Sequence, residues 1–192
     1  MTQASRKSAG PGLGNSTAPL VGDPFELPDG IELETPILAY SPEDPIDCDE
    51  KYPEDGTPAA NGSAVTLCLA FRNTTGRTVE VRLPPGLTFR ALSDKVQSGF
   101  VVQWVTIRIP PGERFVSPVH THCLNQNRNT SRRNDEFELG PVLDLPGFDR
   151  LIEALGDKVV PRRHVATVQF AVTRLSNGET VPAETWAQLE AL

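Results

Sequence analysis

His120-Thr121-His122-Cys123 is the densest cluster of metal-ligating and nucleophilic side chains in the chain. On a strand, neighbouring side chains point to opposite faces, so His120 and His122 share one face and Cys123 takes the other. Two imidazoles at i and i+2 can share a transition metal. A third ligand would then come from His164, Cys48 or a carboxylate of the acidic loop. The alternative is a pair of half-exposed strand histidines next to a buried cysteine. The acidic loop runs from Ser41 to Gly56 and carries Asp47, Asp49, Glu50, Glu54 and Asp55 among its prolines. A calcium loop needs oxygen ligands at odd positions, a central glycine and a closing glutamate between two helices. Here the glycine falls late and the flanks are not helical, so a solvated loop is expected.

Other chemistry is poorly represented. There is no Gly-x-Ser-x-Gly elbow, no phosphate-binding glycine loop and no His-Glu-x-x-His. The chain therefore reads as a non-enzyme, and nothing in it calls for a cofactor. Eighteen basic against twenty-five acidic side chains leave a net charge of −7. That balance disfavours a general nucleic-acid binder, which needs a basic face to displace counterions. The arginines Arg128, Arg132, Arg133, Arg162 and Arg163 lack interleaved aromatics and read as solvated surface. No apolar run approaches the ~18–20 residues that span a bilayer, so membrane insertion is not expected.

These residues need a scaffold. Val65, Leu67, Leu69 and Phe71 alternate with smaller or polar residues, the period of a strand with one buried face. Val79, Val81 and Leu83 alternate likewise after Asn73-Thr-Thr-Gly76, and together the two runs predict a hairpin. Pro-Pro-Gly ends strands after Leu83 and Ile109, and a further strand over Arg114 to Cys123 presents the His/Cys cluster. Ile37 to Tyr40 adds a short first strand. Six or seven strands with turns about every ten residues predict an antiparallel β-sandwich of the Ig-like or jelly-roll type. Phe148, Leu151, Ile152 and Leu155 then fall at helical spacing, between Pro146 and Gly156. Val165, Val168, Val172 and Leu175 predict a second helix, and Trp186, Leu189 and Leu192 a third entered through Pro182. The expected layout is a flexible N-terminal arm over 1–30, a β-sandwich over 31–123, and a polar loop with a helical C-terminal cap over 124–192.

His120-Thr-His-Cys123-Leu-Asn125, followed by a polar run and Phe137-Glu-Leu-Gly140, resembles the cysteine segment of bacterial thioester-domain surface adhesins. Val168-Gln169-Phe-Ala-Val172 resembles their second motif, a glutamine followed by alanine and an aliphatic residue. Thr173 stands where those proteins usually have tryptophan, and His122 where an aromatic residue or leucine is expected. The resemblance implies a thiol at Cys123 and an acyl partner at Gln169, joined as an internal thioester that captures a nucleophile on a host surface. In the alternative, Cys123 is simply buried and Gln169 hydrogen-bonds backbone near it.

The expected function is contact without catalysis: a surface-associated adhesive or self-assembling subunit. Its partner would be a protein or another copy of itself, reached through the N-terminal arm. The covalent adhesin and a metal-binding protein using His120 and His122 are the alternatives. Met1-Thr-Gln-Ala-Ser-Arg-Lys7 has a basic start with no apolar stretch behind it, unlike a secretory signal. An extracellular or surface location is nonetheless favoured, and pairing of Cys48 or Cys68 with Cys123 is left open.

Overall fold

A computed structural model describes residues 10–43, 48, 62–112, 114–144 and 147–192. The chain is mainly β, with nine strands and three short helices among the described residues. The strands are β1 (Ile31–Leu33), β2 (Ile37–Ala39), β3 (Val65–Asn73), β4 (Val79–Leu83), β5 (Leu87–Ala91), β6 (Gly99–Phe100), β7 (Val105–Ile109), β8 (Phe115–Cys123) and β9 (Glu136–Val142). The helices are α1 (Asp149–Leu155), α2 (Val165–Ser176) and α3 (Ala183–Glu190).

The main sheet closes on itself. Its order is β1-β3-β2-β9-β5-β6-β8, and β8 returns to pair with β3, so six strands form an antiparallel barrel with β1 lying further along β3. This differs from the expected Ig-like or jelly-roll sandwich of two open sheets. Closure rests on the long β3–β8 ladder, which runs from Val65 opposite Thr121 to Phe71 opposite Phe115. Val65, Leu67, Leu69, Phe71 and Val119 are wholly buried in the barrel core, as period-two patterning requires. Each such side chain contributes roughly 1.5–3 kcal/mol over its exposed state.

The hairpin expected across Asn73–Gly76 does not form, because β4 pairs with β7 in a separate ribbon. The turn itself explains this. The Asn73 side chain donates to the carbonyls of Arg77 and Ile109 and accepts from Thr75 N–H, so the turn is bonded to itself and to the end of β7. Val81, Leu83, Val105, Ile107 and Ile109 of the ribbon still pack into the barrel core. The strand expected to end at Ile109 is β7, which begins at Val105, while Phe100 belongs to β6.

β9, inside the segment expected to be loop and cap, is a barrel strand between β2 and β5. The three helices stand where apolar spacing put them and share a second core with Leu13, Phe100 and Leu124. Of the arm expected over 1–30, residues 10–30 lie against the fold, while 1–9 fall outside the described residues. Leu13 is buried among the helices, Gly14 N–H donates to Leu124 C=O, and Asp23 bridges to Val142. Burial of Leu13, packing of Leu20, Phe25 and Leu27 against the two cores, and a few backbone bonds offset the ordering entropy that composition alone made to look decisive.

Candidate functional site

Cys123 closes β8, and Gln169 lies on the second turn of α2. Val168, Ala171 and Val172 are wholly buried in the helical core. Their burial fixes the rotation of α2 and leaves Gln169 on the flank facing the strand end. The carboxamide meets Cys123 at three atoms. Its Oε1 accepts from Cys123 N–H at 2.9 Å, while Nε2 lies 3.1 Å from Cys123 O and 3.2 Å from Cys123 Sγ. Nε2 also reaches Thr173 Oγ1, one helical turn on, at 3.1 Å. Both arrangements expected from the sequence, the thioester precursor and the buried cysteine with a bonded glutamine, call for this juxtaposition. They differ in one covalent bond.

The loop after Cys123 is held firmly. Asn125 is wholly buried, accepts from Ser98 N–H and donates to Gly12 C=O. Cys123 pairs with Gly99 in β6, where a Cβ would come within 2.4 Å of Thr121 Oγ1, so glycine is required for the strands to approach.

Cys123 is the free cysteine among the described residues. Burial pushes its thiol up to about 11, against hydrogen bonds from backbone N–H groups and from Gln169. It is therefore a protonated thiol at neutral pH, not a ready thiolate. His122 is buried, and neither of its ring nitrogens has a hydrogen-bond partner of good geometry. Burial lowers its pKa to about 4, and the Gln169 carboxamide beside the ring opposes that drop without meeting it in a well-formed bond. His120 is the better satisfied of the two. Its Nε2 shares a 2.5 Å hydrogen bond with the Tyr40 hydroxyl, and burial lowers its pKa to about 4 as well.

His122 is thus fully enclosed, unlike the half-exposed pair expected, whereas His120 is partly exposed. No group of three or more His, Cys, Asp or Glu side chains that could hold a metal occurs among the described residues. Of the suggested third ligands, His164 precedes α2 and accepts from Arg163. Cys48 is bonded to Cys68, which settles the open pairing among the described cysteines. The acidic loop from Asp44 to Gly56, apart from Cys48, lies outside the described residues.

An open groove in the helical cap is lined by Arg150, Leu175, Glu179, Trp186 and Glu190. Its arginine is already occupied, paired with Glu190 at 2.6 Å and stacked over Trp186 at 4.3 Å.

Sequence reasoning found Cys123 and Gln169 but missed Thr173 as a partner, because its hydroxyl was noted only as a departure from tryptophan. The i, i+4 spacing from Gln169 was the available signal. Compared with known proteins, the chain matches no family model, no curated protein and no solved structure. No helix among the described residues is long and apolar enough to cross a membrane.

Proposed function

We propose that this protein attaches itself covalently to a partner, through an internal thioester between Cys123 and Gln169. The observation that carries the reading is the approach of the Gln169 carboxamide to Cys123 Sγ, with its oxygen on Cys123 N–H. That N–H polarises the carbonyl and stabilises the oxyanion that forms when sulfur adds to it. In closing, Sγ bonds to Cδ of Gln169, and Nε2 departs with the thiol proton as ammonia. In capture, a nucleophile bonds to Cδ, the S–C bond breaks, and Cys123 regains its proton as a thiol. The reaction is used once per molecule, so the protein is an adhesive and not a turnover catalyst.

A location outside the reducing cytosol fits this use, and the Cys48–Cys68 crosslink supports it. Attachment through the arm, the other contact reading, gains less support. Gly12, Gly14 and Ser16 already bond Asn125, Leu124 and Arg128 of the same chain. A biotinylated primary amine tests the proposal. The native protein should label at Gln169, and Cys123→Ala should not. Equal labelling of the two would contradict it.

A further inference from the structure

We propose that His122 extends the acyl centre at Gln169 from amines to hydroxyl acceptors, as the base that takes the proton of an attacking alcohol or sugar hydroxyl. The inference rests on the thioester reading and specifies its acceptor class. A buried polar side chain without partners costs about 1–3 kcal/mol, so such a group calls for a reason. His122 is 1% exposed, neither ring nitrogen meets a partner of good geometry, and it directly precedes Cys123 on β8, whose backbone and sulfur hold the carboxamide that would become the acyl group.

Burial keeps this imidazole neutral, so one ring nitrogen offers a lone pair at neutral pH. The other described groups around the carboxamide are the Cys123 backbone, the protonated Cys123 thiol and the Thr173 hydroxyl. None of these is a base under those conditions. An amine attacks a thioester with its own lone pair, whereas a hydroxyl is a weak nucleophile that needs its proton removed. In the step, the acceptor oxygen bonds to Cδ as its proton passes to the His122 ring. The Sγ–Cδ bond then breaks, and the departing thiolate takes that proton from the ring. The products are an ester on Gln169, a Cys123 thiol and a neutral imidazole. Negative charge developing on sulfur favours the protonated ring at the moment it is needed.

The test incubates native protein with methylamine or with glycerol and reads adducts by intact mass. The wild type should take both. His122→Phe keeps a ring in the space; it should capture methylamine within about threefold of wild type and lose glycerol capture by about 100-fold or more. Glycerol capture by His122→Phe at the wild-type rate would overturn the inference, as would a wild type that takes methylamine but never glycerol. Should His122→Phe not fold, deuterated water decides on the wild type alone. Glycerol capture should slow in it while methylamine capture does not, and no such difference counts against His122. A native protein with no ammonia missing overturns both readings. A missing ammonia with methylamine capture, but no His122-dependent glycerol capture, overturns this one only.

Discussion

Gln169 Nε2 has three acceptors within 3.2 Å, namely Cys123 O, Cys123 Sγ and Thr173 Oγ1, yet an amide nitrogen carries two hydrogens. One acceptor is always left short. Closing the proposed bond would put Sγ in place of that nitrogen and keep the hydrogen bond from Cys123 N–H to the carbonyl oxygen, while taking the donor away from Cys123 O and Thr173 Oγ1.

Acid should destabilise the fold through its histidines. His122 has a folded pKa near 4 against 6.5 for the unfolded chain, so between those values only the unfolded chain binds the proton. Its contribution is fully present above pH 6.5 and is lost as pH falls toward 4, on the order of 3 kcal/mol. His120 acts in the same direction, more weakly because it is partly exposed. Urea midpoints at pH 7 and pH 4.5 should differ, and by less in His122→Phe. An unchanged pH dependence in that variant would remove His122 from the account.

Reduction of Cys48–Cys68 should cost stability without touching the site. The crosslink joins residues 20 apart, a span for which loop closure predicts about 3 kcal/mol. Cys48→Ser with Cys68→Ser should lower the urea midpoint accordingly and leave labelling at Gln169 intact. Loss of labelling in a folded double variant would show that the two regions are coupled.

Asn125→Ala should loosen the strap over the strand end. The substitution leaves Gly12 C=O and Ser98 N–H without that partner, at about 1–3 kcal/mol. Amide exchange over residues 10–16 should quicken, at Gly14 above all. Exchange there at the wild-type rate would mean that Leu13 and the bonds from Gly14 to Leu124 and from Arg128 to Ser16 hold the segment without Asn125.

Much of this was readable from residue patterns, and the misses share a cause. Strand β3 and the three helices carry long, regular apolar spacing, so local sequence sufficed. Closure of the barrel depends on β8 returning to β3, a pairing between segments some fifty residues apart that no local period encodes. β9 was passed over because Glu138, Gly140 and Pro141 dilute its alternation, although Phe137 is wholly buried. The docked arm was hidden because Leu13, Leu20, Phe25 and Leu27 are spaced without helix or strand period, and backbone bonds to distant segments complete its anchoring. At the site, the type and order of Cys123 and Gln169 were legible. The burial that silences the thiol and leaves His122 without a partner came only with the tertiary packing.

The most direct measurement is the intact mass of native protein, purified without added amines or reductant and set beside Cys123→Ala. The native chain should be lighter than its sequence, after allowance for the Cys48–Cys68 bond, by one molecule of ammonia. Cys123 should resist alkylation until methylamine is added, and the variant should miss no ammonia. A native chain at full mass, with Cys123 alkylated as soon as the fold is opened in denaturant, would contradict it.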